Sequence, residues 1–260
     1  MKVLVAVKQV ASLREDFELS DPQAVRADAL ELQLNEWDAF ALEAAVQLVE
    51  AAAEGEVVAV TVAGEQAEEV LLECLAAGAD RAARVWDPVL ECADPLAVAA
   101  VLAAFAARER PDLILCGAQS SDAANAATGL ALAGRLDLAH VAVVTAIDRD
   151  GQRLTVTREL EAGMSEVLRL SLPALLTVQT GINAPRRPTL RQRKQAREKP
   201  LEALTPADLD LSSEDVRRAQ GAHAARLVAP PRDGGAELLE GEPAEVASRI
   251  ADIIRTALRT

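Results

Sequence analysis

The class of fold is decided by one stretch, Asp112-Leu113-Ile114-Leu115-Cys116-Gly117-Ala118-Gln119-Ser120-Ser121-Asp122-Ala123-Ala124-Asn125-Ala126-Ala127-Thr128-Gly129. Its first part, Asp112–Cys116, is a short apolar run, and such runs are typical of strands buried on both faces of a sheet. The small and polar residues from Gly117 to Gly129 follow and lead into a helix. Because a buried strand that passes through a polar loop into a helix is the building unit of parallel α/β sheets, the stretch predicts such a sheet.

Strands and helices alternate from the N-terminus up to this stretch. The predicted strands are Val3–Val7, Val57–Val62 and Ala83–Trp86, and the predicted helices are Leu30–Ala53, Glu65–Ala77 and Pro95–Arg108. We expect Asn35 to cap the first helix with Asp38 in a capping box, Gly78 to end the second, and Asp94 to cap the third. The alternation predicts a Rossmann-like parallel sheet with helices on both faces. Ligands bind such sheets where strands end and helices begin, here at the loops that start at Lys8 and at Gly117.

The pattern changes after Ala139. The later elements are predicted as antiparallel strands His140–Ile147, Arg153–Glu159 and Val167–Ser171, a further strand Ala174–Thr180, and a final helix Pro243–Arg259. Asp150-Gly151 between the first two strands is a strong hairpin signal. Beyond Gly181 the apolar density falls. We therefore predict an α/β core with an antiparallel addition over residues 1–183, and an extended arm over residues 184–260.

The charge is unevenly distributed along the chain. The net charge of −14 argues against nucleic-acid binding, which depends on neutralising phosphates with Lys and Arg. Seven of the 27 basic residues nevertheless lie in one short segment: Arg186, Arg187, Arg191, Arg193, Lys194, Arg197 and Lys199. A basic segment on an acidic protein predicts a docking surface or a neutralising contact with an acidic partner.

Metal binding, acid–base catalysis and membrane insertion have little support in the sequence. The three cysteines have no paired spacing, and with only His140 and His223 neither a zinc site nor a nucleophile–histidine–acid set is predicted. Cysteines without a disulfide framework suit a reducing compartment. The longest uncharged apolar stretch, Pro95–Ala107, is too short to cross a bilayer. We predict a soluble cytoplasmic protein that is not an integral membrane protein.

The loop Gly117–Gly129 is the first candidate binding site. Glycine and alanine let a ligand approach the backbone, and free N–H groups at a helix start attract an anion such as a phosphate. Ser120, Ser121, Asn125 and Thr128 add side-chain donors. Neither a Walker motif nor GxGxxG occurs here, so an ordinary strand-to-helix loop is the alternative interpretation.

Two further segments are candidates. Asn35-Glu36-Trp37-Asp38 offers Trp37 as a platform for an adenine or a flavin, and a core tryptophan at the foot of a helix is the alternative. In the segment Ile182–Leu190, prolines favour an extended backbone. Leu190 is an apolar residue in a basic setting, which suits an anchor in a partner's pocket. The alternative interpretation of that segment is a solvated linker.

Several separated segments resemble, in the same order, the beta subunits of electron transfer flavoproteins. They are Val3–Val10, Leu34–Asp38 with Ala41–Ala45, Gly78–Ala82, Gly117–Gly129, Leu172–Val178 and Ile182–Arg186, and the resemblance covers roughly residues 1–210. Val85-Trp86-Asp87, Gln119–Asp122 and Arg158–Glu161 are most similar to the form paired with trimethylamine dehydrogenase in methylotrophs.

The resemblance implies an electron carrier subunit rather than an enzyme. It implies a heterodimer whose alpha subunit binds most of the redox-active FAD, and a beta subunit with an adenine nucleotide hydrolase-like fold that holds structural AMP. The implied AMP contacts are Ala6, Asn35, Glu36, Trp37, Asp38, Val62, Gly117, Gln119, Ser120, Ser121, Asp122, Asn125, Ala126, Ala127 and Thr128. The implied recognition loop comprises Pro185, Arg186, Arg187, Thr189 and Leu190, with Leu190 inserted into the partner. The resemblance also implies that, within residues 184–260, the C-terminal arm embraces the alpha subunit. Electrons would pass from a flavin dehydrogenase, for example a trimethylamine dehydrogenase-like donor, to a downstream quinone oxidoreductase.

The loop departs from the family pattern in its alanines. Ala123, Ala124, Ala126 and Ala127 stand where many relatives carry acidic or amide side chains, so we expect contacts from backbone amides. A second branch of the family binds a bifurcating FAD in place of AMP and tends to have an Asp-Gly step here. Asp122 is followed by alanine, which favours AMP. A stand-alone adenine-nucleotide-binding module is the third interpretation, and the sequence offers no phosphate-activating group for it.

Overall fold

The computed structural model describes residues 1–13, 30–52, 54–222, 236 and 238–258. The strands are β1 (Lys2–Ala6), β2 (Gln9–Leu13), β3 (Leu30–Leu34), β4 (Glu56–Thr61), β5 (Arg81–Val85), β6 (Leu113–Gly117), β7 (Ala139–Asp150), β8 (Arg153–Glu159), β9 (Ser165–Ser171), β10 (Ala174–Val178) and β11 (Leu201–Leu204). The helices are α1 (Glu36–Ala52), α2 (Glu68–Ala77), α3 (Pro95–Glu109), α4 (Thr128–Leu136), α5 (Leu190–Ala196), α6 (Ser213–Ala219) and α7 (Pro243–Ala257). The chain divides into two compact units, Met1–Ala225 and Arg226–Thr260, and α7 belongs to the second.

The main sheet has the order β11-β5-β4-β1-β6-β10-β7-β8-β9. From β11 to β7 all neighbouring strands are parallel, and β8 and β9 continue the sheet in antiparallel pairing. The central strands are apolar because both of their faces are covered. In β1, Val3 and Val5 pack into one core with α1 and α2, whereas Leu4 and Ala6 pack into the other with α3 and α4. The predicted α/β fold with a parallel sheet, helices on both faces and an antiparallel addition is confirmed.

The local signals at Asp94, at Gly78 and at the Asp150-Gly151 hairpin are also confirmed. The Asp94 carboxylate accepts hydrogen bonds from the backbone N–H groups of Leu96 and Ala97 at 3.1 and 2.9 Å, with Pro95 at the first helical position. Gly78 ends α2 with φ of 126°, a backbone conformation that favours glycine. The Asp150–Arg153 pair closes the β7–β8 hairpin through a two-residue loop.

The prediction of one helix over Leu30–Ala53 is wrong at its start. Leu30–Leu34 is the strand β3, which pairs antiparallel with β2, and the helix begins at Glu36. Leu30, Leu32 and Leu34 alternate with polar residues at a period of two, which is the strand period. Leu30–Leu34 forms a strand because it pairs with β2, about twenty residues earlier in the chain. The helical spacing of the apolar residues after Asn35 led to the prediction of a helix that also covered this strand.

The chain after β10 returns to the sheet as β11, which pairs parallel with β5 at the edge. This strand, α5 and α6 were not predicted. They extend the first compact unit well beyond residue 183. The predicted division between residues 183 and 184 also separates the core from the residues that are expected to contact partners. That part of the division stays a prediction. Within the described ranges, no helix is long and apolar enough to cross a bilayer.

Candidate functional site

The site lies where β1 and β6 end side by side and α1 begins. Asp38, in the first turn of α1, is only 5 % exposed. Its Oδ2 accepts the backbone N–H of Lys8 at 2.8 Å, and its Oδ1 accepts the backbone N–H of Gly117 at 3.0 Å. One buried carboxyl group therefore holds the ends of both strands against the start of α1.

The environment of Asp38 alters its acidity. Burial raises the pKa of Asp38 to about 7, although the hydrogen bonds from Lys8, Asn35 and Gly117 and the positive charge of Lys8 oppose the rise. Removal from water disfavours the charged carboxylate, whereas N–H donors favour it. The protonation state of this group therefore changes close to neutral pH.

Asn35 binds the loop from the other side. Its side chain, 1 % exposed, donates from Nδ2 to the carbonyl of Gln119 at 2.8 Å and accepts the N–H of Ser121 at Oδ1 at 3.2 Å. Its backbone N–H donates to the carbonyl of Lys8 at 3.0 Å. The predicted capping box with Asp38 is therefore wrong. Asn35 opens α1 through its carbonyl, and both side chains are engaged by the strand ends and the loop.

Gly117 is required by close packing at this junction. A Cβ there would lie 2.7 Å from the Cβ of Trp37 and would collide with Oδ1 of Asp38. At the other end of the loop, a Cβ on Gly129 would lie 2.6 Å from the methyl group of Thr177. Both glycines therefore let the loop lie closer to neighbouring elements than any side chain permits.

The middle of the loop is exposed and tightly turned. The N–H of Ala124 donates to the carbonyl of Ser120 at 2.9 Å, and Ala124 and Ala126 both have φ of 49°. This left-handed conformation costs a residue with a Cβ about 1 kcal/mol. Ala127 precedes α4 and provides no side-chain cap. The first N–H groups of α4 thus have no side-chain acceptor and suit an anion.

Lys8 adds a positive charge beside the loop. Its Nζ lies 2.7 and 2.8 Å from the two carboxylate oxygens of Asp122 and 3.4 Å from Oγ of Ser120. Partial burial would raise the pKa of Asp122, but hydrogen bonds from Lys8 and Ser120 hold it below its usual value. Lys8 was not among the predicted site residues. Its position directly after the first buried strand, where parallel sheets bind ligands, was the sequence feature that could have identified it.

The remaining predicted contacts lie around the same edge. Ala6 ends β1, Val62 follows β4, and Gly117 through Thr128 form the loop itself. The indole Nε1 of Trp37 donates to Oε1 of Gln179 at 2.8 Å, which fastens the segment after β10 to α1. Glu36 is exposed at the start of α1. The structure thus places Asn35 and Asp38 in direct contact with the loop, and the indole N–H of Trp37 binds Gln179.

The predicted recognition residues form a separate region. Leu190 is 86 % exposed at the first position of α5, and Thr189 caps this helix. Arg187 is exposed, whereas Arg186 is partly buried and bound to Glu43. The structure thus leaves the apolar side chain of Leu190 open to solvent in a segment that also carries exposed basic residues.

Comparison with known proteins defines the family. Residues 24–209 match the model of the electron transfer flavoprotein domain, which is more than half of the chain. The chain therefore belongs to the electron transfer flavoprotein family.

Within the family, the similarity is to beta subunits. The chain is 43 % identical over 258 residues to the electron transfer flavoprotein subunit beta of Methylophilus methylotrophus, covering 98 % of both chains. It is 32 % identical over 257 residues to the Bacillus subtilis subunit beta, again covering 98 % of both. With the human subunit beta it shares 37 % identity over 218 residues, 82 % of this chain and 85 % of the human protein. The predicted resemblance to beta subunits is confirmed.

Proposed function

We propose that this chain is the beta subunit of a heterodimeric electron transfer flavoprotein that works in the cytoplasm as an electron carrier. In this proposal it holds AMP as a structural ligand and docks to a flavin dehydrogenase. FAD, bound mainly by the alpha subunit, then passes the electrons to a quinone oxidoreductase. The similarity to named beta subunits over 98 % of both chains carries the proposal.

The loop at the carboxyl edge of the sheet supports an AMP site. A phosphate needs N–H donors and positive charge, and the uncapped start of α4 with Lys8 nearby offers both. Gly117 and Gly129 allow close approach of the backbone, and the alanines leave the exposed middle of the loop without bulky side chains. The residues therefore fit a nucleotide phosphate held mainly through backbone amides, with Ala6 and Val62 as small apolar neighbours for the nucleoside.

The redox chemistry belongs to FAD, which supplies electron uptake and release when it is bound in the heterodimer. The contribution of this chain is binding and positioning. Asp38 and Asn35 fix the loop Gly117–Gly129 to α1. AMP bound to this loop would therefore stabilise the junction between the loop and α1, which is a structural role. No residue of the loop has to move a proton in this function.

Docking is proposed at Leu190 and the basic residues around it. Pro185, Arg186, Arg187 and Thr189 bring the chain to this point, and the leucine side chain is free for a partner's apolar pocket. Positive charge around an apolar anchor attracts an acidic partner and orients it before contact. The proposed partner is a flavin dehydrogenase, for which trimethylamine dehydrogenase is the first candidate.

Co-expression with an adjacent alpha-type gene tests the proposal. We expect the two chains to purify together as a yellow heterodimer that a flavin dehydrogenase reduces. Separate colourless monomers would contradict it. The chain expressed alone is the control: stable folding with bound nucleotide in the absence of alpha would favour a stand-alone nucleotide-binding module.

A further inference from the structure

The basic segment that carries Leu190 is attached to the rest of the unit at both of its ends. We call Pro185–Lys199 the docking segment. Five of its seven basic side chains are exposed, namely Arg187, Arg191, Arg193, Lys194 and Arg197. The other two, Arg186 and Lys199, stand at its two ends, are partly buried, and bind groups of this chain.

Arg186 binds two carboxylates on one face of α1. Its Nε and Nη2 donate to the two oxygens of Glu43 at 2.8 and 3.0 Å, and its Nη1 and Nη2 donate to those of Glu50 at 2.7 and 3.0 Å. Its backbone N–H also donates to Glu43 at 3.1 Å. Glu43 and Glu50 are seven residues apart and therefore share a helix face. Paired, planar hydrogen bonds of this kind fix an arginine in one geometry.

The electrostatics agree with a fixed attachment. Burial would raise the pKa of Glu43, but the hydrogen bonds from Arg186 outweigh burial and hold it below its usual value. Arg186 likewise lowers the pKa of the exposed Glu50. Just before this point, Nδ2 of Asn183 donates to the carbonyl of Phe40 at 3.0 Å, so the approach to the docking segment is also bound to α1.

Lys199 makes the second attachment at the end of α2. Its Nζ donates to the carbonyls of Leu75 and Ala79 at 2.9 and 2.6 Å. The last carbonyls of a helix have no partner within the helix, and a cation is favoured there. Ala196 on α5 is 1 % exposed and belongs to the core that contains residues of α1 and α2, so the docking segment also packs through an apolar residue near this end.

The helix α5, between the two attachments, is too short to be stable by itself. α5 has seven residues, closed at its start by the Thr189–Gln192 capping box. Isolated helices of this length are unstable in water, so tertiary attachment must supply the order. Leu190 is the first residue of this helix, and its direction depends on the position of α5.

We propose that Arg186 and Lys199 are positioning residues for docking: they hold α5 preformed so that Leu190 meets the partner in one orientation, and they do not contact the partner themselves. A surface ordered before binding loses less conformational freedom on association. The inference rests on the proposed docking role of the segment, whereas the order of α5 is measurable without any partner.

The first measurement is amide hydrogen exchange of Leu190–Ala196 in the purified heterodimer. Arg186→Leu and, separately, Lys199→Met should speed exchange about tenfold, as expected for the loss of charge-assisted bonds that are partly exposed. Arg186→Lys keeps the charge without the paired geometry and should fall between wild type and Arg186→Leu. Lys199→Met leaves the buried Glu43 paired, so it keeps the test valid if Arg186→Leu does not fold.

Two charge-matched controls separate position from charge. Arg187→Leu removes an exposed cation next to Arg186 and should leave the exchange of α5 unchanged while weakening docking in a salt-dependent way. Arg218→Leu removes an exposed cation on α6, far along the chain, and should change neither property.

The second measurement is electron transfer from purified trimethylamine dehydrogenase. Arg186→Leu and Lys199→Met should raise the KM for the heterodimer about tenfold and leave kcat within twofold of wild type, since only encounter is impaired. Unchanged exchange in both variants would overturn the positioning role. If exchange of α5 is faster in these variants but the KM is unchanged, the order of α5 does not matter for docking, and the proposal is wrong. A wild-type heterodimer that this donor does not reduce would count against the proposed donor, and the exchange measurement would still decide the positioning role.

Discussion

Replacing Gly117 by alanine perturbs the junction of β6, α1 and the loop Gly117–Gly129 at its tightest point. The added Cβ would lie 2.7 Å from Cβ of Trp37 and 3.0 Å from the backbone nitrogen of Asp38, and it would collide with Oδ1 of Asp38. The first two atoms belong to the helix start and cannot rotate away. Accommodation therefore requires that α1 and β6 separate.

The cost follows from two contributions. Overpacking of a closed site typically costs about 1–3 kcal/mol. The separation also weakens the 3.0 Å bond from the N–H of Gly117 to the carboxyl group of Asp38, and a hydrogen bond of this kind contributes about 1–2 kcal/mol. We expect Gly117→Ala to lower the free energy of unfolding by about 3 kcal/mol and to reduce bound AMP, because the loop begins at this residue.

The assay is urea unfolding of the heterodimer at fixed protein concentration, together with nucleotide content after acid extraction. Gly134→Ala is the matched control. Gly134 is exposed within α4, and a Cβ there meets nothing within 4 Å. Alanine should stabilise this helix by about 0.5–1 kcal/mol and leave AMP unchanged. A Gly117→Ala protein with the urea midpoint and AMP content of wild type would refute the close packing on which the site depends.

Three other predictions concern the site and the docking segment. Burial raises the pKa of Asp38 from 3.8 to about 7, so between these pH values the folded state keeps a proton that the unfolded state loses. The contribution of Asp38 to the free energy of unfolding therefore falls as the pH rises from about 4 to 7. Asp38→Asn should flatten this part of the curve of urea midpoint against pH. An equally steep profile in the variant would exclude Asp38 as its source. Lys8→Met should weaken AMP binding about tenfold and Asp122→Asn should strengthen it, because Asp122 competes with the phosphate for Lys8; equal dissociation rates for labelled AMP in both variants would reject this arrangement. Leu190→Ala should raise the KM for the dehydrogenase with AMP content unchanged, and unaltered transfer kinetics would reject the anchor role.

Much of the fold is encoded in short-range patterns, which explains why it could be predicted. β1, β4 and β6 contain continuous apolar runs, and the caps at Asp94 and Gly78 depend only on residues within one helical turn. The candidate loop from Gly117 was found by the same logic, since it joins a buried strand to a helix. Its alanines led us to expect contacts through backbone amides, and that expectation stays a prediction.

The features that were missed depend on residues distant in sequence. β3 is a strand because of β2, and β11 is a strand because of β5, more than a hundred residues earlier. The side chains of Asn35 and Asp38 had the spacing of a capping box. Asp38 instead binds Lys8, thirty residues earlier, and Gly117, 79 residues later, and Asn35 binds Gln119, 84 residues later. Spacing within α1 carries no information about such partners. The same limit concealed the attachment of Arg186 to α1.

Quantitative acid extraction of the purified heterodimer tests the central claim most directly. The proposed AMP site predicts one FAD and one AMP per heterodimer. The Gly117→Ala heterodimer should contain less AMP than wild type. Two FAD molecules and no AMP would contradict the proposal and show that the loop Gly117–Gly129 holds a second flavin.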